Sequence, residues 1–405
     1  MLEDANTDPR KKRKLVVCVP LWGRKYIEEW FLWSWASLCS QRNLSAVANE
    51  FEVSVQIITR PTDCKEIREG VEYFQVAKQV RIELLPLLSD DLPDKYTAMT
   101  FAILSSMNSA AKERALFVFS GADIVWSDGS LGYLARQLKT KCAVFTWAGI
   151  LDRRSATVEL ARFRNEGALQ IESRSLARIT LNNGHPLQDS WTVDENLIPT
   201  SPWCAIWRSS DNECAVIRTH APTPVGLNFC KLSESRLNMY LDLLRRFVLD
   251  SAETFAPLFG NSNDVLIVSD SDDLLCVSLD STDRKPPPPR RASCRTGASE
   301  RTFLVYLARY QRFQHYISKF LFTRTYVLHT GELDAWPEEK ILMTQNQVIL
   351  QQARESKTSL LARLWLLLPS LKCRKRVSQI VFPVTAIVRK TYAMTTAVRS
   401  RKTVK

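Results

Sequence analysis

Residues 115–130, ALFVFSGADIVWSDGS, constrain the fold more than any other stretch of the chain. Six apolar or small residues run to Ser120 and stop at Gly121-Ala122-Asp123. A second acidic turn, Ser127-Asp128-Gly129, follows at once. A short run rich in Phe and Val, closed by Gly, is the pattern of a strand covered on both faces. Carboxylates at the end of such a strand fall in the crevice where open α/β sheets bind ligands. Just upstream, Lys95-Tyr96-Thr97 opens a segment, residues 98–112, with small and apolar residues at helical spacing.

The flanking chain repeats this alternation. Residues 15–20 (LVVCVP) predict a buried strand that exits through Leu21-Trp22-Gly23-Arg24. A helix with an aromatic face is expected over residues 26–38; its tryptophans at helical spacing are read as core. Residues 51–59 and 76–85 predict two more strands, the first ending at Thr59-Arg60-Pro61. The β-α-β-α-β series favours a parallel, doubly wound sheet. Further on, helices are expected at 129–139, 155–163 and 173–181, and strands at 142–147 and 264–273. Residues 280–302, with Pro286 to Pro289 in tandem, read as an extended linker.

This gives an α/β architecture in four parts: a basic N-terminal arm (1–14), a Rossmann-like sheet domain (15–280), a Pro/Arg-rich linker (281–302) and a helical, basic C-terminal region (303–405). The sheet domain divides into two halves, 15–150 and 151–280. The net charge of +12 sits largely in the two ends, so a basic tail is expected rather than a basic groove. Zinc spacing, an RNP-like aromatic motif and a Walker loop are all missing, and specific nucleic-acid binding is not expected. A Gly-x-Ser-x-Gly elbow is missing too, against a Ser/His/Asp hydrolase. Ten cysteines without paired spacing read as reduced, buried thiols of a cytoplasmic protein. No secretory leader or membrane span is expected. The run Leu364-Trp365-Leu366-Leu367-Leu368, followed by Lys372, Arg374, Lys375 and Arg376, suggests either a peripheral membrane contact or helices packed on the sheet domain.

Together these residues resemble the GT-A type of nucleotide-sugar-dependent glycosyltransferase. In that family a central strand delivers an Asp-x-Asp motif after a helix that starts with a basic residue. Here Lys95, residues 117–120 and Gly121-Ala122-Asp123 take those places. The sequence departs from the motif at Gly121, where the first Asp would stand. The resemblance implies transfer of a sugar from a nucleotide-diphosphate donor to a glycan or lipid-linked acceptor, with residues 15–150 as the nucleotide-sugar half and 151–280 as the acceptor half. It also implies a divalent cation, Mn²⁺ or Mg²⁺, at Asp123, with Asp128, His220 or water completing the shell. Trp22, Thr59, Arg60, Lys95 and Arg218 would hold the donor. Asp194 or Glu195 would supply a general base, flanked by Trp191 and Trp203 as acceptor contacts. Asp270-Ser271-Asp272 is a literal Asp-x-Asp after an apolar run and is the alternative metal site, with a solvated turn as its plainer reading. The loss of the first motif Asp also leaves open a catalytically reduced nucleotide- or glycan-binding module.

Overall fold

The computed structural model describes residues 12–73, 80–87, 95–192, 197–199, 204–209, 211–219, 223–244, 262–282, 291–293 and 326–331. All of them lie in the first of the two units into which the chain divides, Met1–Gln347. The basic arm up to residue 11, Asp194, Glu195, Trp203, His220, most of the linker and the basic stretch from 332 onward fall outside the described residues.

Strand β1 (Arg13–Pro20) leads into α1 (Arg24–Glu29), which runs on through a π-helical stretch, Trp30–Trp35, and α2 (Ala36–Leu38). Then come α3 (Ala46–Glu50), β2 (Phe51–Thr59), α4 (Cys64–Tyr73), β3 (Val80–Pro86), α5 (Lys95–Lys112) and β4 (Leu116–Phe119). A seven-stranded sheet takes shape around these strands. β1 pairs in parallel with β2 on one side and with β4 on the other, and β2 pairs in parallel with β3.

The central runs of β1 and β4 are apolar because both faces of the sheet are covered there, whereas β2 carries Glu52, Ser54 and Gln56 and β3 carries Arg81 and Glu83. Leu15, Val17, Val19, Leu116 and Val118 face a core that includes Trp30, Trp35 and Leu38. Val16, Cys18, Phe117 and Phe119 face the other core, built with Ala102, Ile103, Met107 and Ala110 of α5. Trp30 and Trp35 are fully buried with ring centroids 4.9 Å apart, so the aromatic stripe is core here.

The second half completes the sheet in an order that alternation alone did not predict. After β4 come β5 (Ile124–Trp126), α6 (Ser130–Leu138), β6 (Ala143–Thr146), β7 (Ala148–Asp152) and α7 (Arg153–Leu160). The chain continues through β8 (Arg164–Asn165), β9 (Ala168–Leu169), α8 (Ser173–Asn182), α9 (Pro186–Asp189), β10 (Leu197–Pro199), β11 (Cys204–Arg208) and β12 (Cys214–Thr219). β13 (Thr223–Asn228), α10 (Glu234–Leu244), β14 (Val265–Ile267) and β15 (Cys276–Asp280) follow. The sheet order is β14-β6-β13-β4-β1-β2-β3, with β13 antiparallel to both neighbours. The strand expected over 264–273 is confined to β14; residues 271–273 are a turn.

Four smaller sheets accompany this frame among the described residues, one of them the short β8–β9 pair. β5, β15 and β7 form one three-stranded sheet. β11, β12 and β17 (Tyr326–His329) form another. β10 pairs with β16 (Arg291–Ser293), a strand inside the stretch read as linker. β17 lies in the stretch read as helical; Tyr-Val-Leu-His is instead extended, with Tyr326 and Leu328 buried against the first core. No helix among the described residues is long and apolar enough to cross a membrane.

Candidate functional site

The chain leaves β1 outward to β2 and β3, then returns to β4 on β1's other side. That reversal is the topological switch point, where the carboxyl ends of β1 and β4 part and open α/β sheets bind ligands. Two loops border it: Leu21-Trp22-Gly23 after β1, and Ser120-Gly121-Ala122-Asp123 after β4. Both are tied down. The Leu21 amide donates to the Ile58 carbonyl (2.9 Å) and the Gly23 amide to Asp63 Oδ2 (2.8 Å). The Ser120 amide donates to the Cys18 carbonyl (3.0 Å), and Ser34 Oγ donates to the Ala122 carbonyl (2.8 Å).

At the mouth, Trp22 is half-buried and packs on the edge of the second core. Arg60 is exposed just beyond β2. Thr59 is fully buried, so its side chain is sealed inside rather than facing a ligand. Lys95 is the first residue of α5 and Arg218 lies in β12; their side chains are outside what the structure describes.

Asp123 turns inward. Its Oδ2 accepts a hydrogen bond from Ser278 Oγ of β15 (3.0 Å), and its carbonyl accepts from the Leu279 amide (2.9 Å). Burial raises its pKa above the ordinary carboxylate value, while the Ser278 bond and the nearby Arg153 cation pull it back. Arg153 Nη1 donates to Glu29 Oε1 (2.6 Å), and its Nη2 donates to the Leu279 carbonyl (2.8 Å). Gly121 explains the inward turn. A Cβ there would stand 2.9 Å from Asp123 Oδ1 and 3.1 Å from Ile124 Cγ1. The missing side chain thus leaves the space that the Asp123 carboxylate fills.

Asp128 does not complete a shell around Asp123, contrary to expectation. Its Oδ1 accepts from Ser40 Oγ (2.8 Å) and the Arg42 amide (2.9 Å), and its Oδ2 accepts from Arg42 Nε (2.7 Å). This carboxylate is spent on fastening the loop at Ser40–Arg42.

A second acidic group forms beyond β14. Asp270 and Asp272 meet His329 at the end of β17, and one ligand atom from each lies within 4.8 Å of the others. His329 Nε2 is 2.9 Å from Asp270 Oδ1 and 3.8 Å from Asp272 Oδ2. The bond to His329 holds the Asp270 carboxyl below its ordinary value, and that same bond raises the imidazole. Nothing in the sequence flagged His329 beyond its being one of four histidines. It reaches Asp270 only through pairing across 59 positions. Trp191 is half-buried against the first core.

The sheet order and switch point define the class: an open, mostly parallel α/β fold with a topological switch point at the carboxyl edge of its sheet. Among solved structures the chain is similar to Staphylococcus aureus TarS 1–349 in complex with UDP, at 12% identity and a TM-score of 0.36, over 84% of this chain and 80% of that one. It is also similar to 4-diphosphocytidyl-2C-methyl-D-erythritol synthase from Anaerococcus prevotii, at 12% identity and a TM-score of 0.31, over 64% of this chain and 88% of that one. A third likeness is the apo structure of the bifunctional glycosyltransferase WbbM, at 10% identity and a TM-score of 0.31, over 64% of this chain and 39% of that one. No protein-family model and no curated protein matches the sequence.

Proposed function

We propose that the chain binds a nucleoside-diphosphate sugar at the switch point between β1 and β4 and transfers the sugar to a glycan or lipid-linked acceptor. The observation that carries this reading is the switch point itself. Two tied loops border the gap, one carrying a half-buried Trp and the other an inward carboxylate. In this reading the backbone of Leu21-Trp22-Gly23 meets the nucleoside and the Trp22 ring stacks on the base. Arg60, Lys95 and Arg218 supply positive charge for the diphosphate. Asp194 or Glu195 takes the proton from the acceptor hydroxyl.

The residues present suit a cation held by one protein carboxylate. Gly121 offers no ligand, and Ser278 occupies one oxygen of Asp123. Mg²⁺ or Mn²⁺ is often bound through one or two carboxylates, with substrate phosphates and water as the remaining ligands. Asp123 would hold it, with His220 as a further ligand from the acceptor half. A bound cation would offset the charge of the departing nucleoside diphosphate.

The Ser278 bond favours a second reading. A carboxylate folded back onto β15 and raised in pKa fits a module that binds a nucleotide or glycan without turning it over. Release of nucleoside diphosphate from UDP- and GDP-sugars, with Mn²⁺ and a mixed glycan acceptor pool, separates the two. The enzyme reading predicts turnover that falls by about a hundredfold in Asp123→Ala, the scale of losing one electrostatic contact to the leaving group. Nucleotide binding without turnover in the wild type establishes the module instead.

A further inference from the structure

We infer that Asp270, Asp272 and His329 form a divalent-cation site that clasps β17 to the turn after β14. This site stands apart from the donor crevice and does not depend on the glycosyltransferase reading. Asp123 engages Ser278 and Leu279 of β15, whereas Asp270 precedes that strand by six positions and leans on β17.

The imidazole supplies the first reason. His329 is buried, with only 4% of its side chain exposed, and its ring is fixed from behind. Its Nδ1 lies 2.6 Å from the Gly331 carbonyl, which can only accept, so Nδ1 carries the hydrogen. That leaves Nε2 as the lone-pair nitrogen of the neutral ring, and Nε2 points at two carboxylate oxygens 2.9 and 3.8 Å away. Nε2 and one oxygen from each carboxylate therefore converge on one point, all within 4.8 Å of one another. A backbone acceptor on the far nitrogen is the usual device for orienting a metal-binding histidine.

Charge supplies the second reason. Asp270, Asp272 and Asp273 bring three carboxylates to one turn. Arg174 is the guanidinium paired with them: its Nη2 donates to Asp272 Oδ2 (3.0 Å) and its Nε donates to the same oxygen (3.1 Å). Tyr133 OH donates to Asp273 Oδ2 without bringing charge. Among the described residues Arg174 offsets only part of this negative charge, and a dication would offset more of it.

The backbone supplies the third. The turn is held open towards the histidine by main-chain bonds on both strands. The Ser271 amide donates to the Val327 carbonyl (2.9 Å), the Val327 amide to the Ser269 carbonyl (2.8 Å), and the His329 amide to Ser271 Oγ (3.2 Å). The Asp272 amide donates to Asp270 Oδ1 (2.8 Å), fixing that carboxylate's direction. One nitrogen and two oxygens, with Asp270 and Asp272 partly open to solvent, leave room for water as further ligands. This donor set suits Zn²⁺ or Mn²⁺ rather than Ca²⁺. Such an ion would fasten a late strand to the sheet from ligands 59 positions apart.

The test is titration of the full chain with Zn²⁺ and with Mn²⁺, no nucleotide present, followed by calorimetry and thermal unfolding. The wild type is expected to bind one ion and to gain about 5 °C in Tm at a hundred times Kd. Asp272→Asn, at an exposed position, keeps the fold and weakens binding at least tenfold, since losing a ligand costs no less than losing an outer-shell partner. His329→Ala loses binding and the Tm gain together, whereas Asp123→Ala keeps both. Absence of binding in the folded wild type, or binding unchanged in Asp272→Asn and His329→Ala, overturns the site in favour of a proton shared by the triad. Neither result bears on nucleotide binding, which is read separately.

Discussion

Asn43→Ala is expected to destabilise the protein by roughly 4 kcal/mol, because it removes four hydrogen bonds at about 1 kcal/mol each, two of them made by the Gly129 and Leu131 amides. The Asn43 amide is fully buried and fully used. Its Nδ2 donates to the carbonyls of Ser37 (2.9 Å) and Ser127 (3.1 Å). Its Oδ1 accepts from the amides of Gly129 (3.1 Å) and Leu131 (3.0 Å). It thereby stitches the end of the aromatic helix to the loop that starts α6. Gly129 sits there at φ 95°, a conformation that side chains disfavour, so the loop cannot easily relax to find other partners. The adjacent Arg42 gives the internal comparison. Its side chain is 60% exposed although it bonds Asp128, so Arg42→Ala should cost no more than about 1 kcal/mol. Urea unfolding of both variants decides the matter. If Asn43→Ala shifts the midpoint no further than Arg42→Ala, the loop is not held as described.

Arg153→Met is expected to cost about 3 kcal/mol, since it strands a half-buried partner. Arg153 and Glu29 are only 16% and 21% exposed in their side chains and meet at 2.6 Å. The Leu279 carbonyl also loses its donor. Removing the arginine leaves an uncompensated carboxylate between α1 and α7, whereas Glu29→Leu with Arg153→Met removes both charges. The double variant should therefore be more stable than Arg153→Met alone, as paired removal of buried ions commonly is. Thermal unfolding of the two variants reads this directly. A double variant less stable than the single one would show that the pair contributes through something other than mutual neutralisation. Arg153 also lowers the Asp123 pKa, so its loss moves that carboxyl further towards its neutral form.

The strands legible in the sequence are those whose own residues decide them. β1 and β4 have runs apolar on both faces, and β2 alternates before it turns apolar; the bounds expected for β2, 51–59, are the observed ones. β13 was not legible. Its sequence Thr-Pro-Val-Gly-Leu-Asn carries the two residues least suited to a central strand. The structure accommodates them by an irregularity between Pro224 and Gly226. Gly226 is required by its neighbours: a Cβ there would stand 2.7 Å from Leu138 Cδ1 of α6. A strand chosen by close approach of a helix leaves no periodic trace in its own residues. β5 and β14, at three residues each, are likewise too short to show a period.

The candidate site divides in the same way. The loops at the switch point follow from strand order, which local alternation reveals. The inward turn of Asp123 depends on Ser278, 155 positions away, and the Asp270–His329 contact on the bridge between Asp270 and Val327 of β17. Both are tertiary facts. An acidic turn looks the same in sequence whether it meets water, a serine or a buried imidazole.

The most direct test of the central claim is calorimetric titration of UDP and GDP into the wild type and Asp123→Ala, with and without Mn²⁺. Binding at the switch point predicts one nucleotide per chain, tighter with Mn²⁺ and weakened at least tenfold in Asp123→Ala, the loss of one charge-assisted contact. Folded protein that binds neither nucleotide, or binds equally well in Asp123→Ala with no response to Mn²⁺, contradicts the assignment of the donor site to the crevice between β1 and β4.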